Sequence, residues 1–147
     1  MKQTILTVGF FLMMTVSLLA QKSEVFKTDE GAIKGYDPVA YFKDAKPVKG
    51  YKKFAYMWKD ADWYFASQQN LDLFKSNPER YAPQYGGYCA YGTAAGHKAS
   101  TEPQTWTIVD NKLYLNYNNE VKSMWIKDKP GYIKKENENW PTIKDKE

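Results

Sequence analysis

The chain contains one cysteine and one histidine, and both fall in a single stretch, YGGYCAYGTAAGH, over residues 85–97. A thiol and an imidazole are residue types that ligate soft metals or carry nucleophilic chemistry. Gly86 and Gly87 ahead of Cys89, with Gly96 after Ala95, predict a short helix over 88–95 capped by Gly96. On such a helix Cys89 lies in the first turn and His97 just past the last, on the order of 12 Å apart along the axis. Metal bonds to sulfur and nitrogen are about 2.0–2.3 Å. Cys89 and His97 therefore share a metal only if the chain folds back at Gly92.

The same geometry offers other chemistry. A cysteine in a first helical turn feels the positive end of the dipole, which acidifies the thiol. Gly86 and Gly87 allow a small anion or substrate to approach the backbone closely. Tyr85, Tyr88 and Tyr91 step by three and share one flank of the expected helix, as core or as a pocket wall in which Tyr88 and Tyr91 join the glycines. Four roles are open to Cys89: a buried apolar filler, a soft-metal ligand (for copper, with Met57, Met124 or His97), a reactive thiol, or a partner in an intermolecular bond. No Gly-x-Ser-x-Gly, phosphate loop or dinucleotide fingerprint occurs, and Asp60, Asp62 and Glu102 form no evident carboxylate pair.

The elements that must position this stretch follow from turn and cap signals. Aromatic runs over 54–58 and 63–66 flank Lys59-Asp60-Ala61-Asp62, the pattern of a hairpin. Ser67 caps a helix to about Ser76 with Leu71 and Phe74 on one face, ended by Asn77-Pro78. The plan then recurs. Residues 106–109 and 113–115 flank Asp110-Asn111, and Asn118 caps a helix to about Lys127 that buries Val121, Met124 and Trp125. Pro130-Gly131 breaks the chain before a last helix over 132–139. Cap, aromatic and tyrosine recur at steps of seven, as Ser67, Phe74, Tyr81 and as Asn118, Trp125, Tyr132. The expectation is an α+β domain of two hairpin–helix units with a short antiparallel sheet. Residues 21–35 read as a flexible lead-in, 36–141 as the domain and 142–147 as a tail.

Residues 1–20 have the layout of a secretory signal peptide: Lys2, an apolar run from Ile5 to Ala20, then polar sequence. Export to the periplasm or exterior is therefore expected, with a membrane as partner only if that segment is retained. Its loss changes the net charge from +4 to +3. Lysines interleaved with acids at so mild a balance exclude a nucleic-acid footprint. One cysteine cannot form an internal disulfide, so packing must stabilise the domain, and an aromatic fraction of 16% suits that need.

The strings Tyr36-Asp37-Pro38-Val39, Trp63-Tyr64-Phe65-Ala66-Ser67 and Phe74-Lys75-Ser76-Asn77-Pro78-Glu79-Arg80-Tyr81 together resemble the YHS domain. The strings GGYCAYG at 86–92 and KLYLNYN at 112–118, with Asn139-Trp140-Pro141, resemble its exported bacterial subgroup. The resemblance implies a small exported module related to metal-handling proteins. In the metal-associated members cysteines stand at positions that match Ala40, Ala66 and Asn70 here, so that ligand set does not carry over. What is expected is a binding module, not an enzyme, that captures a transition metal (copper first) through Cys89 and His97, or a small ligand at Gly86, Gly87, Tyr88 and Tyr91. The rivals are a thiol redox or transfer enzyme using Cys89 and a structural or interaction domain with Cys89 buried.

Overall fold

Short caps and two-residue turns set the elements of the computed structural model, which describes residues 23–146. The expected signal peptide lies outside the described residues. Asp37 caps α1 (Pro38–Lys43), its Oδ1 accepting from the Val39 and Ala40 amides at 2.8 and 3.2 Å. The first large hairpin pairs β3 (Tyr51–Trp58) with β4 (Ala61–Phe65), antiparallel and with an irregularity in register between Tyr51 and Ala55. Only Lys59 and Asp60 form its turn, both left-handed at φ 50° and 55°, as the twist of a two-residue hairpin requires. Ser67 then caps α2 (Gln68–Ser76) by accepting from the Asn70 amide at 3.1 Å, and Pro78 opens the single turn of α3 (Pro78–Tyr81).

The second unit has the expected parts. After α4 (Ala90–Ala94), β5 (Thr107–Val109) and β6 (Lys112–Tyr114) pair across Asp110-Asn111, also left-handed at φ 50° and 61°. Asn118 caps α5 (Asn119–Ile126) through a 2.8 Å bond from the Val121 amide. The spaced aromatics have matching roles. Phe74 is fully buried and packs on Trp58, Trp63 and Phe65 with ring centroids 5.1–5.6 Å away. Trp125 is equally buried, 5.2 Å from the Tyr114 ring. Two adjoining hydrophobic clusters result, one around Phe74 and one around Trp125, Tyr85 and Tyr114.

The fold is α+β, with three separate two-stranded antiparallel ladders in place of one sheet among the described residues. Four expectations change. The segment read as a flexible lead-in forms a small hairpin, β1 (Lys27–Thr28) and β2 (Gly31–Ala32), and buries Val25, Ala32 and Ile33 in the core. Pro130-Gly131 starts the last helix instead of breaking the chain. This helix, α6 (Lys129–Ile143), begins at an Asp128 cap and runs on through Pro141. Proline is tolerated in a first turn because the amide it lacks has no helical partner there. On α5 only Trp125 is buried, while Met124 is 39% exposed. The tail beyond α6 is held. Buried Lys98 donates to the carbonyls of Ser23, Lys144 and Lys146 at 3.3, 2.5 and 2.8 Å, and its ammonium faces the Tyr88 and Trp140 rings. No helix among the described residues is long and apolar enough to cross a membrane.

Candidate functional site

The helix after the double glycine is shorter than expected and starts later. Tyr85 and Gly86 are left-handed at φ 58° and 63°, Tyr88 is extended, and Cys89 is the N-cap of the five-residue α4. The thiol acts as a capping acceptor, with the Gly92 amide donating to Sγ at 3.4 Å. On its other side Sγ lies 3.6 Å from Asn116 Oδ1, which also accepts from the Tyr91 amide at 3.1 Å. Because the Tyr91 amide fixes the oxygen toward the sulfur, this contact is satisfied by a neutral S–H donor. Cys89 is 2% exposed. Burial pushes its pKa up despite the backbone amides that pull it down. The acidified thiol expected at a helix start is therefore not found, because desolvation outweighs the helix end.

The chain does fold back at Gly92. Gly96 takes φ 90° past the helix, and the His97 amide donates to the Gly92 carbonyl at 3.0 Å. A Cβ placed on Gly92 would lie 3.4 Å from His97 Nε2. The exposed imidazole thus turns over the residue whose amide meets the Cys89 sulfur. Among the described residues, no group of three or more histidine, cysteine, aspartate or glutamate side chains is placed to hold a metal ion. Met124 is exposed on α5 and Met57 on β3.

The glycines serve the protein's own packing. A Cβ at Gly86 would run into the Glu24 carbonyl, and one at Gly87 would lie 2.5 Å from Ile33 Cγ2. The close approach that they permit is to the N-terminal hairpin. The tyrosines do not share one helical flank, since only Tyr91 lies within α4. Tyr85 and Tyr88 both pack against Trp140, at 5.8 and 6.4 Å, and Tyr91 stacks on Tyr132 at 5.2 Å. Their hydroxyls are committed in part. Tyr88 donates to the Ser23 carbonyl at 2.7 Å and Tyr85 to Asn137 Oδ1 at 3.0 Å.

Two features escape the linear sequence. The first is a cleft of about 150 Å³ where the β3–β4 turn, the Tyr85-Gly86 bend and α6 meet. Trp58, Tyr85 and Trp140 wall it, with Asn137, Glu24 and Lys59 among its polar groups. It joins residues more than eighty positions apart, and the aromatic richness of the sequence is its only advance signal. The second is Glu136, fully buried on α6. Its Oε1 accepts from Trp125 Nε1 at 2.5 Å, while Oε2 has no hydrogen-bond partner. Burial raises its pKa from 4.5 to about 7, against a smaller opposing effect of the Trp125 bond.

Ala40, Ala66 and Asn70 converge in space, on a carboxylate. Buried Asp37 accepts from the Ala40 amide through Oδ1. Its Oδ2 accepts from the Ala66 amide at 2.8 Å and from Asn70 Nδ2 at 2.7 Å. Lys43 Nζ donates to the outer oxygen of Asn70 at 3.0 Å. Every oxygen is engaged by the protein, and Ala40 and Ala66 offer no ligating atom. These residues do not fit a soft metal.

No curated protein and no solved structure matches the chain. The YHS domain model matches residues 39–85, from α1 to the Tyr85 bend. That stretch contains the first hairpin, α2 and the Ala40, Ala66 and Asn70 positions held around Asp37. Residues 39–85 are thus similar to the YHS domain, a family often associated with metal handling, copper included.

Proposed function

We propose that this protein is a non-catalytic binding module for a small ligand, and that the ligand enters the cleft beside Tyr85 and Gly86. The observation that carries this reading is the aromatic-walled cleft itself, in which a few polar groups converge between Trp58, Tyr85 and Trp140. Concave sites of that make-up are where small molecules lose most water and gain orientation. Cys89 then has a structural role, as a neutral thiol that caps α4, and Tyr88 and Tyr91 stand outside the cleft. Burial and the Asn116 contact both count against a nucleophilic thiolate. A fragment screen read by amide chemical shifts tests the proposal. Hits should perturb Tyr85, Gly86 and Asn137 together, and hits confined to other surfaces would overturn it.

One observation favours a second reading, copper(I) capture by Cys89 and His97. The turn at Gly92 brings the imidazole back over the capping residue of the thiol, and copper(I) accepts a small number of soft ligands. Anaerobic copper(I) titration against a chromogenic chelator separates the two readings. The metal reading expects one equivalent bound, and lost in both Cys89→Ala and His97→Ala. Uptake that is unchanged in either variant overturns it.

A further inference from the structure

Lysine is a poor choice for the first position of a left-handed turn, where asparagine or glycine fits with less strain. Lys59 nonetheless occupies that position at φ 50°, and its long side chain is held. The ammonium lies 4.7 Å from the centroid of the Trp58 ring. It is also 2.9 Å from Glu24 Oε1 and 3.7 Å from Glu79 Oε1. An indole face with two carboxylates around it is the chemistry that recognises an ammonium. All four residues line the same cleft, and Trp140 and Tyr85 continue its apolar wall inward from them.

We propose that this cleft is a seat for a small organic ammonium, and that the Lys59 side chain is the competing occupant supplied by the protein itself. The proposal rests on the small-ligand reading above and names the class of ligand. Glu24 and Glu79 exceed Lys59 by one negative charge, and an incoming amine that displaces Lys59 into water exchanges one ammonium for another. An anion would meet two carboxylates, and a neutral ligand that displaced Lys59 would leave them without a cation. The volume of about 150 Å³ suits a short aliphatic amine, with its carbon chain against Trp140. Lys59 is solvent-exposed at a hairpin tip, so its removal leaves the core untouched.

The test uses the full chain and three probes of one carbon skeleton: butan-1-amine, butan-1-ol and butyrate. Binding is followed by tryptophan fluorescence and calorimetry at low salt. Lys59→Met should bind the amine about tenfold more tightly than the parent, because the competing cation is gone while its apolar stem remains. Adding Glu24→Gln should weaken that binding about tenfold, His97→Ala should leave it unchanged, and added salt should weaken it. If Lys59→Met binds butanol in the cleft and not the amine, the ammonium assignment is overturned and the small-ligand reading stands. If amide shifts show nothing entering the cleft of either protein, in this test and in the fragment screen, both are overturned.

Discussion

At the scale of single residues, burial pushes two acids, Glu136 and Cys89, toward their neutral forms. Glu136 is an acid whose folded-state pKa of about 7 lies above its ordinary 4.5. Folding therefore favours the protonated form. Its contribution to stability is fully present below about pH 4.5 and is lost as pH rises through about 7, since the folded state must then carry a buried charge. Over that window the loss should be on the order of 3 kcal/mol at most, at about 1.4 kcal/mol per unit. Urea unfolding between pH 4 and 8 should show the decline, and Glu136→Gln should flatten it. Tyr85 and Tyr114, which face the carboxylate, have their own pKa values raised and stay neutral throughout. Cys89 is a thiol whose burial slows its chemistry. It should react with a disulfide reagent slowly in the native protein and at the free-thiol rate in urea, and equal rates would contradict the buried cap. Cys89→Ala removes the acceptor of the Gly92 amide and should cost about 1–2 kcal/mol.

At the scale of elements, Asp37 links α1 to the end of β4 and to α2. One carboxylate satisfies two helix-start amides, the Ala66 amide and the Asn70 side chain. Asp37→Ala should destabilise by about 3 kcal/mol or more, as expected when several buried donors lose one charged acceptor. Asp37→Asn, which keeps one acceptor oxygen, should lose less, and a chemical denaturation series would rank the two. Elements were legible in the sequence where the signal was local. Ser67, Asn118 and the Asp110-Asn111 turn each act within three residues of themselves. Pro130 misled because proline breaks a helix interior but opens a first turn, and the deciding residue was the capping Asp128. The burial of Val25, Ala32 and Ile33 is not legible because two-residue strands carry no periodicity, and Gly86 and Gly87, which pack close to Val25 and Ile33, lie far along the chain.

At the scale of the whole molecule, the candidate site was legible as a stretch but not as a place. YGGYCAYGTAAGH bends at both ends. One end presses its glycines onto the N-terminal hairpin, and the other turns His97 back over Gly92. No spacing rule reports that Trp58, Tyr85 and Trp140 meet, since each belongs to a different element and contact between them depends on how α6 docks. The matched YHS segment supplies Trp58, Lys59, Glu79 and Tyr85 to that cleft, while Glu24 comes from before it and Asn137 and Trp140 from after it. The cleft is thus assembled from the matched segment together with the residues ahead of β1 and helix α6.

Lys98 carries a separate implication. Its ammonium draws the carbonyls of Ser23 and Lys146 to within 3.3 Å of one nitrogen, so the boundaries of the described chain lie side by side. Joined head to tail by a short linker, residues 146 and 23 should tolerate a circular permutation that opens between Asp110 and Asn111, an exposed turn. Its melting temperature should fall within about 5 °C of the parent. The same operation between Gly86 and Gly87 cuts backbone packed against Glu24 and Ile33, and that reordered polypeptide should fail to fold.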